Sequence, residues 1–144
     1  MHPRVLVLDE PTAGLDPQER IRFRNLLADL SGERVVILST HIVGDVESSC
    51  NRLAVLDQGQ VRYCGSPEDL AEQARGQGWE VETDEQGRTE MPPQARIVAT
   101  RRLPDSLHLR VLYPECPLPG ATPVQPALEE GYLTVTGLAG GERE

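Results

Sequence analysis

Arg4-Val5-Leu6-Val7-Leu8-Asp9-Glu10-Pro11-Thr12-Ala13-Gly14-Leu15-Asp16-Pro17 sets an unalternated aliphatic run directly against two carboxylates and a proline-bounded turn. A short apolar run without polar alternation suits a strand buried on both faces of a parallel sheet. Arg34-Val35-Val36-Ile37-Leu38-Ser39 repeats the pattern and ends in Thr40-His41. The segment between them carries helix signals. Asp16 is placed to be the N-cap, Pro17 the first helical residue and Glu19 the N3 partner of a capping box. Phe23, Leu26, Leu27 and Leu30 follow at helical spacing. Arg20, Arg22 and Arg24 lie mostly off that face and read as solvated. Ser31-Gly32 closes the helix. A strand, a crossover helix and a second strand of these lengths predict a parallel β-α-β unit.

That topology gives the carboxylates meaning. Ligands of α/β sheets bind just past the carboxyl ends of parallel strands. Neighbouring side chains on a strand point to opposite sides, so Asp9 and Glu10 are expected to do different jobs. One could hold a Mg²⁺ shell, and the other could orient or deprotonate an attacking water. His41 ends the next strand at the same sheet edge and could reach the same ligand.

Composition narrows the chemistry. The chain has 144 residues, a formal net charge of -9 and 14 basic residues, all of them arginine. Without lysine there is no Schiff-base chemistry and no G-x-x-x-x-G-K-[ST] phosphate loop. An acidic, lysine-free chain also argues against nucleic acid or an anionic membrane as partner. Cys50, Cys64 and Cys116 are odd in number and widely spaced, and they read as free thiols in a reducing compartment. No apolar stretch approaches the roughly 18 residues of a membrane span. Met1-His2-Pro3-Arg4 lacks the pattern of a signal peptide. The expected setting is cytoplasmic, with any membrane role arising through a partner.

Further along, a short helix is predicted over Val43–Asn51, and Leu53–Asp57 and Gln60–Cys64 flank Gln58-Gly59 as a hairpin. Ser66-Pro67-Glu68-Asp69 opens a helix reaching about Ala74. Gly76-Gln77-Gly78 marks a boundary. Beyond it Trp79–Thr83, Ala95–Thr100 and Ser106–Leu112 read as strands, with turns at Asp84–Gly87 and Pro104-Asp105. A proline-rich stretch from Pro114 to Pro126 precedes a short helix near Ala127–Leu133. Trp79 and Tyr132 read as packing anchors, and His2 and His108 as surface residues.

The stretch Val5–Pro17 resembles the Walker B motif and D-loop of ABC-type ATPases, and Ser39-Thr40-His41 resembles their H-loop. Asp45-Val46-Glu47, Asn51–Gly59 and Gly65–Leu70 are similar to that family's continuation. More weakly, Pro126–Leu133 with Thr136-Gly137 resembles the accessory segment of exporter ATPase subunits. The resemblance implies ATP and Mg as cofactors. It also implies roles: Asp9 holding Mg²⁺ largely through water, Glu10 as general base, His41 as γ-phosphate contact, and Asp16 at a dimer interface. Such roles fit phosphoryl transfer, in which catalysis is mostly positioning and charge stabilisation.

The expected fold is therefore α/β. A partial P-loop-type parallel sheet with flanking helices spans 1–75, and a small α+β accessory domain spans 76–144. In this family the P-loop, Q-loop and signature motif precede Walker B. Leu30-Ser31-Gly32-Glu33-Arg34 departs from the signature and reads as a helix C-cap. The chain thus reads as the C-terminal half of an ATPase subunit that energises export. Its implied partners are a membrane permease, a second ATPase subunit and the missing N-terminal half. Two alternatives stand beside this reading: a truncated remnant or regulatory fragment without catalysis, and an ABC-type ATPase of DNA repair.

Overall fold

A computed structural model describes residues 3–137, which divide into two compact units between Asn51 and Arg52. The break in sequence at Gly76-Gln77-Gly78 falls inside the second unit. His2 lies outside the described residues.

In the first unit, β1 (Val5–Asp9) runs parallel to β2 (Val35–Ser39), with Val5 opposite Val35 and Asp9 opposite Ser39. Helix α1 (Pro17–Ser31) makes the crossover, and α2 (Val43–Ser49) follows β2. The α1 start is the reciprocal box read from sequence. Glu19 N–H donates to Asp16 Oδ1 at 2.8 Å, and Asp16 N–H donates to Glu19 Oε2 at 3.1 Å. Each bond satisfies a backbone donor at a helix end that has no partner within the helix.

Two expectations are corrected here. The strands are not buried on both faces: Val5, Val7, Val35 and Ile37 are exposed, Val7 at 69%. The reason is geometric. Among the described residues only two strands pair in this sheet, and α1 packs against β2. Alternate residues of each strand therefore remain uncovered. The face predicted for α1 is also only partly used, since Leu27 is buried, Phe23 and Leu30 are half-buried and Leu26 is exposed. Arg20 and Arg24 are half-buried, not solvated. Their Nε–H groups donate to the carbonyls of Leu15 at 3.3 Å and Arg20 at 3.4 Å.

The second unit begins with a hairpin of β3 (Leu53–Asp57) and β4 (Gln60–Gly65). Gln58 and Gly59 both take positive φ, 50° and 73°, as a two-residue hairpin turn requires. Ser66 caps α3 (Pro67–Glu72) by accepting Asp69 N–H at 3.1 Å. An antiparallel sheet follows in the order β6-β7-β5-β8, formed by Arg96–Arg102, Leu107–Leu112, Gly78–Thr83 and Thr122–Pro123. Val81, Met91, Leu107, Leu109 and Val111 form its core, with Trp79 and Ile97 packed alongside. Trp79 also donates its indole N–H to the Tyr113 carbonyl at 2.9 Å, so it anchors packing as expected.

The turn predicted at Asp84–Gly87 is instead the start of a short helix, α4 (Glu85–Thr89). Asp84 accepts Gly87 N–H at 2.8 Å and so caps it. The proline-rich stretch contributes β8, which pairs with β5 at Trp79 and Glu80. The last helix, α5 (Leu128–Val135), is tied to the sheet by Glu130. That buried carboxylate accepts Arg110 Nε–H at 2.6 Å and Ala127 N–H at 2.7 Å. The Glu130 hydrogen bond outweighs burial and holds the Arg110 guanidinium above its ordinary value. Helices α3 and α5 meet at Gly131, where an added Cβ would overlap the Leu70 carbonyl oxygen. No described helix is long and apolar enough to cross a membrane.

Together the residues form a mixed α/β fold with one parallel and two antiparallel sheets, consistent with part of a nucleotide-binding domain.

Candidate functional site

The parallel register sets the carboxyl ends of β1 and β2 level with each other. Glu10 N–H donates to the Ser39 carbonyl at 2.8 Å, which extends the pairing one residue past β1. Glu10 then takes φ 45°, a conformation non-glycine residues seldom adopt, and the chain turns away. Ala13 N–H donates to the Glu10 carbonyl at 3.2 Å and Leu15 N–H to the Thr12 carbonyl at 3.2 Å. On the β2 side, Ile42 N–H donates to Thr40 Oγ1 at 3.0 Å and shapes the loop that carries His41.

The two carboxylates part company, as strand geometry requires. Asp9 is exposed and accepts a hydrogen bond from the Ser39 hydroxyl. Glu10 Oε1 lies 2.9 Å from His41 Nδ1. A carboxylate oxygen accepts, so Nδ1 carries the proton in that bond and Nε2 is the ring atom left to face a ligand. The His41 side chain is 81% exposed. Glu10 Oε2 is buried and has no hydrogen-bond partner among the described residues. A buried acceptor without a partner is costly in general, about 1–3 kcal/mol, which makes this oxygen the acceptor a donor would meet most favourably.

Asp9, Glu10 and His41 are therefore brought to one sheet edge. Asp16 is positioned differently: its carboxylate caps α1. Among the described residues no group of three or more His, Cys, Asp or Glu side chains is placed to hold a metal ion. A divalent cation at Asp9 would draw the rest of its shell from water and ligand oxygens. The exposed Asp9 carboxylate is a hard oxygen donor of the kind Mg²⁺ accepts, and Glu10 Oε2 is an acceptor without a partner among the described residues. The phosphate-cradling amides and lysine are not among these residues.

Sequence reasoning missed three partners. Ser39 stands out in the sequence only as part of a motif, yet its hydroxyl donates to Asp9. The Thr12 hydroxyl donates to Asp45 Oδ2, and both residues are buried. They lie 33 positions apart, and no local spacing announces the pair. Asp45 also acts on Cys50, whose thiol is pushed up first by burial and then by the Asp45 charge. His108 is half-buried on the second unit, 3.7 Å from Glu80.

No family model matches the chain. Curated relatives do match about half of it. It is 46% identical over 72 residues to the energy-coupling factor transporter ATP-binding protein EcfA2 of Lactiplantibacillus plantarum, covering 49% of this chain and 24% of that protein. It is 42% identical over 72 residues to EcfA2 of Clostridioides difficile, covering 49% of this chain and 25% of that protein. It is 41% identical over 76 residues to ATP-binding cassette sub-family A member 17 of Mus musculus, covering 53% of this chain and 4% of that protein. The chain thus spans a quarter or less of the length of these relatives. About half of it is homologous to ATP-binding proteins of energy-coupling factor transporters, within the ABC-type ATPases.

Proposed function

We propose that this chain supplies the water-activating half of an ABC-type ATPase site, in a subunit that energises export through a separate membrane permease. The observation that carries the proposal is the Glu10 carboxylate. One oxygen is tied to His41 Nδ1, and the other is buried and unpaired at the end of a parallel strand. A base so placed can accept a proton from an attacking water while His41 fixes its direction. Asp9, oriented by Ser39, would hold Mg²⁺ largely through water. Bound there, the ion would neutralise charge on the β- and γ-phosphates. His41 Nε2 would meet the γ-phosphate, and can donate to it only when the ring is protonated on both nitrogens. Asp16, at the α1 N-terminus, would sit at the interface with a second ATPase subunit. In this proposal residues 1–75 belong to the ATPase and 76–144 form its accessory domain.

The P-loop is not among these residues, and its supply by a further polypeptide segment is part of the proposal. Two experiments test it. The 144-residue chain alone is expected to show no micromolar Mg-ATP binding in a fluorescent-nucleotide titration, because Asp9, Glu10 and His41 lack the amides that hold phosphates. Assembled with a P-loop-bearing half, it should hydrolyse ATP. Glu10→Gln should then lower the rate about 10²–10⁴-fold, the usual contribution of a positioned general base. Hydrolysis that survives the substitution removes Glu10 as the base. A non-catalytic regulatory role is the second reading, favoured by the lysine-free composition, and it predicts no hydrolysis in any such assembly.

A further inference from the structure

Thr12 and Asp45 are polar residues buried to 3% and 5% exposure in a unit with few buried side chains. Thr12 lies two positions past Glu10, in the turn that leaves β1. Asp45 lies four positions past His41, in the first turn of α2, where its own N–H donates to the Ile42 carbonyl at 3.1 Å. Its carboxylate does not serve that helix end: the N-cap, Ile42, offers no side-chain bond. It reaches instead to the Thr12 hydroxyl. The two loops that carry Glu10 and His41 are thereby joined behind the site.

Besides the Glu10 N–H bond to the Ser39 carbonyl, two side-chain links join these loops, and they differ in strength. The Glu10–His41 bond has an exposed histidine, and exposed ion-pair contacts hold geometry weakly. The Thr12–Asp45 bond is buried. Breaking it strands a carboxylate in a low-dielectric setting, so the pair resists separation. We propose that Asp45, acting through Thr12, is a positioning residue that locks the Glu10 turn to the His41 loop and keeps the Glu10 carboxylate against His41 Nδ1. The inference rests on the reading of Glu10 and His41 as the working pair.

A purely structural bond and a positioning bond can be told apart at the His41 ring. Long-range ¹H–¹⁵N spectra of the full chain report the three histidines, with His41→Gln identifying the signals of interest. Glu10→Ala defines the ring without its carboxylate. Thr12→Val, which keeps the branched shape and removes the hydroxyl, should move the His41 Nδ1 resonance toward the Glu10→Ala position. Thr12→Ser should return it to the wild-type position. Folded Thr12→Val with a wild-type His41 resonance would overturn the proposal, and so would identical His41 spectra for wild type and Glu10→Ala. If Thr12→Val does not fold, Asp45→Glu carries the same test, since the added methylene misplaces the acceptor while keeping its charge. A displaced resonance supports the lock, and a wild-type one sinks it. No nucleotide enters this measurement, so its failure is distinct from a failure to find ATP hydrolysis.

Discussion

Val7 on β1 and Leu109 on β7 are both aliphatic residues in the middle of apolar strands, yet one is 69% exposed and the other fully buried. Leu109 belongs to a central strand with β6 on one side and β5 on the other, and it packs in a core with Val81, Met91 and Val111. Val7 belongs to a two-stranded sheet with one face uncovered. The side chains of the first unit are tied largely by polar links: Asp9–Ser39, Glu10–His41, Thr12–Asp45 and the Asp16–Glu19 box. Among its described residues Leu27 is the one buried large aliphatic. The second unit holds itself together by apolar burial, and the first spends its polar groups on geometry at a strand end. Optical probes separate the two, because Trp79 and the three tyrosines all lie in the second unit.

The largest expected effect breaks the second unit at its polar tie. Glu130 is buried, and its carboxylate holds Arg110 and the α5 N-terminus. Glu130→Ala leaves the half-buried Arg110 guanidinium without its closest partner, a change that costs about 3–5 kcal/mol for buried pairs. Urea denaturation followed by Trp79 fluorescence should show the midpoint fall sharply. A wild-type midpoint would show that α5 is not anchored by this pair. Next comes Leu109→Ala, expected to cost about 2–5 kcal/mol by the same measurement because a filled core position is emptied. A loss well under 1 kcal/mol would mean that the core around Leu109 relaxes to fill the space.

A smaller effect belongs to the first unit. Asp16→Ala removes the α1 cap and should cost about 1 kcal/mol. Trp79 should not report it. Faster amide hydrogen exchange in the first turn of α1, with an unchanged fluorescence midpoint, is the expected pair of results. A shift of that midpoint would show the two units to unfold as one.

What could be read from the sequence was what neighbours in the chain decide. The Asp16–Glu19 box, the Ser66 cap and the Gln58-Gly59 turn need only local spacing, and each was legible. The parallel pairing of β1 and β2 followed from the crossover rule, and with it the placing of Glu10 and His41 at one sheet edge; their direct contact was not read from the sequence. The rest depends on distant partners. Thr12–Asp45 and Arg110–Glu130 join residues 33 and 20 positions apart, and nothing in either segment marks the other. Thr122-Pro123 reads as proline-rich loop until β5 is there to pair with it. The uncovered face of β1 was misread for a related reason, since an apolar run states what a strand would bury and not whether a neighbour covers it.

That face supplies the smallest and most discriminating prediction. Val7→Thr exchanges an exposed methyl for a hydroxyl of nearly the same volume on a strand where β-branching is retained. Because Val7 is uncovered, stability should change by no more than about 0.5 kcal/mol, as for surface substitutions generally. Hydrogen exchange of the β1 amides is the measure, because fluorescence does not see this unit. Exposed apolar strands tend to associate, so light scattering of concentrated chain should fall. A cost of 2 kcal/mol or more, on the order of emptying a packed core site, would mean that another surface covers Val7 in solution. The contrast between Val7 and Leu109 would then reflect which partner each strand has, with both strands built for burial.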